Sequence, residues 1–153
     1  MDYFSTNEGA YAAAGMLVGG AIVVYLIIVL VLYILYIVGQ WKVFTKAGEA
    51  GWKSIIPIYN MYILYKISWK TSMFWIMIAL GVVIGILQAI GGVLAVIGSI
   101  ASIAVFVLSI ISNLKLAKAY GQGIGFTIGL ILLPFIFMPV LGLGSSQYVG
   151  PQE

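Results

Sequence analysis

The side chains able to do chemistry are scarce in this chain. Seven lysines and four carboxylates (Asp2, Glu8, Glu49 and Glu153) are its only charged groups, and it has no histidine, cysteine or arginine. Without histidine, the usual proton shuttle at neutral pH and the commonest metal ligand are missing. Without cysteine there is no thiolate nucleophile, disulfide or cysteine metal site. Without arginine there is no bidentate clamp. The polar groups inside the long apolar runs are Gln88, Ser99, Ser102, Ser109, Ser112, Asn113 and Thr127. Ionisable residues at membrane depth are default markers of proton or ion pathways, and these runs hold none. The set predicts a protein that is not an enzyme and needs no metal or cofactor. A channel or transporter for neutral solutes or ions, lined by backbone and hydroxyl groups, stays open as the alternative.

The elements that carry these groups follow from composition. The 153 residues are 63% hydrophobic and 7% charged, with mean hydropathy +1.18. A soluble domain carries roughly 25% charged residues, and a chain of this size buries only about two-thirds of its surface. The bilayer must therefore be the solvent. The expected fold is an all-α integral membrane protein, one transmembrane domain over 1–153. Run 16–38 is uncharged and long enough, at ~1.5 Å per residue, to cross a hydrocarbon core of about 30 Å. It reads as a retained span rather than a cleaved signal, because no lysine precedes it. Run 71–113 would be about 65 Å long as one helix, so it must fold back. Gln88-Ala89-Ile90-Gly91-Gly92 is the expected turn, giving spans near 72–87 and 93–112. A fourth span is expected at 123–143, kinked by Pro134 and Pro139.

Charge sets the expected topology. Lys42, Lys46, Lys53, Lys66 and Lys70 lie between the first and second spans, and Lys115 and Lys118 between the third and fourth. With four spans these loops share a side, which the positive-inside rule places in the cytoplasm. Asp2, Glu8 and Glu153 then lie outside, so both termini are expected to face out from a cell membrane. The lysines are expected to orient insertion and to meet anionic lipid headgroups, at ~1 kcal/mol per residue near the surface. Nucleic acid is not an expected partner, because the lysines are few and flank apolar spans.

Between Lys53 and Lys66 the uncharged run is too short to cross. Pro57 suits a first helical turn. Tyr59, Tyr62, Tyr65 and Trp69 recur at helical spacing, and aromatic rings with lysine tips suit headgroup depth. An interfacial helix over 55–69, lying flat, is the favoured expectation. A re-entrant element dipping towards Pro134, or a ligand site around Pro57-Ile58-Tyr59-Asn60, are the alternatives. A faint internal echo links Lys46–Trp52 and its following Ile-Ile-Pro57 to Lys118–Phe126 and its following Leu-Leu-Pro134. Such repeats occur in transporters.

Small residues recur at packing intervals: Gly15 and Gly19, Gly81 and Gly85, Gly98 and Ser102, and Gly121, Gly125 and Gly129. Four-residue spacing lets helix backbones approach closely, either within one protomer or across a self-association face of a homo-oligomer or a complex with other membrane proteins.

The stretches WKVFTKAGEAGWKSIIPIYNMYILYKI and LAKAYGQGIGFTIGLILLPFIFMPVLGLG resemble a family of small polytopic bacterial and archaeal membrane proteins of unknown function, some labelled "signal peptidase I". The Gly-Trp…Ile-Pro-Ile-Tyr-Asn core is the most specific part. The resemblance implies the fold and no activity. A signal peptidase of the bacterial type needs a serine nucleophile and a lysine base at the outer face. Ser72-Met73 is similar to that motif, but no proline follows at the expected place and it falls at the expected cytoplasmic end. Ser145 and Ser146 have no lysine near them in the expected outer tail. The residues therefore argue for a non-catalytic, self-associating packing or scaffold protein.

Overall fold

The computed structural model describes residues 3–152, with side chains from residue 8 onward. Asp2 and Glu153 lie outside the described residues. Among the described residues six helices follow in order: α1 (Tyr3–Lys46), α2 (Tyr59–Ser68), α3 (Thr71–Ile90), α4 (Gly92–Ala119), α5 (Ile124–Leu132) and α6 (Pro134–Leu143). One 3-10 turn, Gly51–Ser54, precedes α2. No strand occurs among the described residues. In hydrocarbon a helix satisfies its own backbone, which outweighs the strand preference of so much valine and isoleucine.

Among the described residues, three helices are long and apolar enough to cross a membrane: α1 from Glu8, α3 and α4. α1 runs for 44 residues, about 66 Å, and extends well beyond the expected 16–38. α3 and α4 form a hairpin that turns at Gly91 and Gly92, with φ of +81° and +60°. Those values lie in the left-handed region that a β-branched residue resists, so the chain reverses at the glycines and not at Gln88, which stays inside α3.

The fourth expected span is not a single crossing helix. Pro134 has no N–H to give the Leu130 carbonyl, and it disfavours helical geometry at the residue before it. Leu133 sits at φ −135°, ψ 59°, so α5 stops there and α6 begins with Pro134 in its first turn. The two short helices then fold against each other. Phe126 and Phe137 meet edge to face at 5.2 Å, and Gly129 lies directly under the Phe137 ring.

α6 runs parallel to α1. Phe135 meets Tyr36 at 5.6 Å, Pro139 backs onto Gly39, and Leu141 lies by Lys46. Segment 123–143 therefore enters and leaves at one end of the bundle, the end that carries the lysines. The tail stays there: Val149 N–H donates to the Ala119 carbonyl and Gln152 N–H to that of Ser68. In place of one kinked helix over 123–143, the structure has two short helices and a tail bound at the lysine end.

The buried core lies at the same end. Val43 and Phe44 of α1, Ile63 and Ile67 of α2, Leu116 of α4 and Leu141 of α6 are its centre. α2 is not a detached surface helix, since Ile63, Tyr65, Ile67 and Ser68 are buried. Away from that end, α1 makes no close backbone approach to α3 or α4 among the described residues. The two copies of the internal echo share the turn that ends a helix, on Gly48 at φ +79° and Gly121 at φ +68°, and then diverge: the first continues into the 3-10 turn and the second into α5.

Candidate functional site

The fold gives the lysines different tasks. Lys46, the last residue of α1, lies beneath the open end of α6. Its ammonium donates to the carbonyls of Leu141, Gly144 and Ser146 at 2.8, 2.8 and 2.9 Å. A helix C-terminus leaves such carbonyls without partners and is the negative end of the helix dipole. Lys46 is therefore bound within the protein rather than presented to headgroups.

Glu49 accepts from Lys53 at 2.5 Å and from Lys66 at 2.7 Å. The hydrogen bonds from Lys53 and then Lys66 hold the Glu49 carboxyl below the usual carboxylate range, and the same contact raises Lys66. This cluster ties the loop after α1 to α2. Lys115 stands over the Trp69 ring at 5.6 Å. Lys42, Lys70 and Lys118 are exposed.

Two tyrosines pin the ends of helices. Tyr120, 1% exposed, donates to the Val43 carbonyl at 2.6 Å. Burial pushes its phenol well above the ordinary range. Tyr148 packs on Tyr120 at 5.3 Å and donates to the Ile67 carbonyl at 2.8 Å.

The aromatic row of α2 divides. Tyr59 and Tyr62 stack at 5.8 Å and Tyr62 meets Phe74 edge-on at 5.5 Å. They form one wall of an open groove of about 550 Å³, completed by Pro57, Ile58 and Trp75. Ile58 holds φ +67°, a strained value for a β-branched residue. Tyr65 is not the interfacial anchor expected, because it is buried beside Phe74. Asn60 donates to the Ser54 carbonyl at 3.2 Å and so closes its own loop. The part of this stretch that shares a wall with Pro134 is Met61, Leu64, Tyr65 and Ser68, further along than the expected Pro57–Asn60.

That shared wall lines a half-open cavity of about 250 Å³. Tyr36 contributes from α1, Ser109, Ser112 and Asn113 from α4, and Leu130 and Pro134 from the broken hairpin. No charged residue lines it. Beside it, Gln40 is 1% exposed; its amide Nε2 donates to the Tyr36 hydroxyl at 3.1 Å, and its Oε1 has no partner. Gln40 falls just past the expected span, so sequence reading passed over it.

The small residues separate into two groups. Gly98 lies against Leu87 and Gln88, and Gly129 against Phe137. Ser102 bonds back to the Gly98 and Ser99 carbonyls of its own helix. Gly15, Gly19, Gly81, Gly85, Gly121 and Gly125 have no neighbour within 4 Å of where a Cβ would stand. Equally close approaches occur at glycines with no spacing signal: Gly39 against Pro139, Gly142 against the Gly39 carbonyl, and Gly51 against the Trp41 ring. No cluster of metal-ligating side chains occurs among the described residues.

Neither a curated protein nor a solved structure matches the chain. The matched region, 52–151, takes in α2 to α6 and the tail bound back to Ala119 and Ser68. Over those residues the chain belongs to a family of unknown function, DUF5684.

Proposed function

We propose that this chain is a non-catalytic integral membrane protein that assembles with further copies of itself through the free length of α1. The observation that supports this most is the state of that helix. None of its most apolar stretch is buried, and Gly15 and Gly19 have nothing beside them. A glycine inside a helix costs about 0.5–1 kcal/mol relative to alanine. Packing within the protomer offsets none of that cost at Gly15, Gly19, Gly81 or Gly85, whereas close contact with a second helix would.

The same reading sets the protein in the cell membrane with its lysine end in the cytoplasm. α5 and α6 have 9 and 10 residues, about 15 Å each, which reaches halfway into a ~30 Å core. They form a re-entrant hairpin, so the chain crosses three times, with the N-terminus outside and the C-terminus inside. Exposed Lys42, Lys70 and Lys118 meet anionic headgroups.

The test is mass by native extraction into lipid discs. The expected result is an oligomer for the natural chain and a shift to monomer when Gly15 and Gly19 are both replaced by leucine. A monomer in the natural chain, or an oligomer unaffected by the double substitution, would overturn the assembly reading.

A further inference from the structure

The cavity beside the hairpin break has a hydrogen-bonding inventory that the protein does not use up. A tyrosine hydroxyl can both give and take a hydrogen bond. Gln40 uses one of those positions on Tyr36, and whichever way the Gln40 amide is turned, the other stays open. Across the cavity, Asn113 donates its Nδ2 to the Ser109 carbonyl at 2.8 Å, which leaves Oδ1 as an acceptor. Pro134 cannot donate to the Leu130 carbonyl, so a backbone acceptor at the wall is also unfilled. Around these groups the lining is thioether and aliphatic: Met61, Leu64, Met77, Leu116 and Met138.

Open polar positions in an apolar surround are costly unless something meets them. The absence of charge along the lining excludes an ionic ligand, whose desolvation nothing would offset. A volume of about 250 Å³ holds a molecule of roughly ten non-hydrogen atoms. Tyr36 and the α4 residues belong to helices that make no close backbone approach to each other among the described residues, so an occupant would bridge them.

We propose that this cavity, between Tyr36 and Asn113 and walled by the Pro134 break, binds a small uncharged amphiphile: an apolar body ending in one hydroxyl or amide that both gives and takes a hydrogen bond. The site does not depend on self-assembly through α1, and the chain with leucine at positions 15 and 19 binds equally well.

The probes are 4-fluorophenethyl alcohol and 4-fluoroethylbenzene, which differ by the hydroxyl, observed by fluorine NMR on the full chain in lipid discs. The alcohol gives a saturable bound resonance, and the hydrocarbon binds at least tenfold more weakly. Tyr36→Phe and Asn113→Leu, both close in shape to the natural residue, reduce alcohol binding about tenfold and leave the hydrocarbon unchanged. Ser112→Trp fills the space and abolishes both, while circular dichroism and thermal unfolding report whether that variant folds. Equal binding of the two probes, no saturable resonance with either, or alcohol binding unchanged in both near-isosteric variants would overturn the proposal.

Discussion

The two ends of this bundle are made of the same apolar residues and are held together differently. At the lysine end, α1, α2, α4, α5 and α6 contribute to one buried cluster. That cluster is laced by side chains that reach backbone carbonyls: Lys46 to α6, Tyr120 to α1 and Tyr148 to α2. At the far end, among the described residues, the α1 backbone stands by itself and α3 pairs only with α4. In lipid, apolar contact alone gives little reason for helices to associate, so packing geometry and hydrogen bonds decide which parts cohere. The lysine end has both, and the far end has glycine at open positions.

Substitutions at equivalent residue types in the two regions sharpen that contrast. The largest effect is expected at Gly39. A Cβ there overlaps the Pro139 backbone, so Gly39→Val should destabilise by about 3 kcal/mol or more, read as a lower thermal midpoint in detergent and faster proteolysis of the tail. Gly15→Ala, in open space, should leave the monomer unchanged or stabilise it by up to about 1 kcal/mol. Equal responses at the two sites would erase the contrast.

Lys46→Met comes next. It removes the donor to the Gly144 and Ser146 carbonyls, while Leu141 keeps the Ser146 hydroxyl, and should cost about 2 kcal/mol, with amide exchange rising first in residues 141–152. Tyr120→Phe removes one buried bond to a carbonyl that also accepts from Ala47 N–H, and should cost about 1 kcal/mol.

The smallest effect is at Glu49. Its carboxyl titrates below the usual range because Lys53 and Lys66 bond it. The stabilisation is present above the unfolded carboxylate value of ~4.3 and is lost as pH falls through the lower folded value. Lys66 is largely exposed, so the contribution should stay under about 1 kcal/mol. Glu49→Gln should flatten the acid limb of a plot of thermal midpoint against pH and lower the neutral value by no more than that small contribution.

Much of the lysine end could be read in the sequence, and the errors there have one physical origin. Charge placement located Lys42 to Lys118 at a common end because it depends only on spacing along the chain. Gly91 and Gly92 marked the α3–α4 reversal because their backbone needs are local. Pro134 marked a break but not its consequence. A proline that kinks a crossing helix and one that turns a hairpin give the same local signal, and 123–143 has the length of a span. What distinguishes them is the seat for α6 made by Gly39 with Pro139 and Gly142, and the bonds from Lys46 to Leu141 and Gly144. Those partners are about a hundred residues apart and share no pattern. Glycine spacing marks the close approaches at Gly98 and Gly129 and misses others for a related reason. The Gly15–Gly19 interval says a close approach is permitted and not that one occurs, while Gly39, Gly51 and Gly142 make close approaches without any interval at all. Gln40 escaped notice because the apolar run was ended at residue 38, although α1 continues to Lys46.

The proposed re-entry at Pro134, with the chain returning to the lysine end, has a direct test. The natural chain has no cysteine, so single cysteines can be read with a membrane-impermeant maleimide on sealed vesicles of known orientation. Glu8→Cys, Lys118→Cys and Gln152→Cys report the two ends and the tail. The fold predicts that Gln152→Cys labels from the same side as Lys118→Cys and from the side opposite to Glu8→Cys. Labelling of Gln152→Cys together with Glu8→Cys would make 123–143 a full crossing and contradict the account.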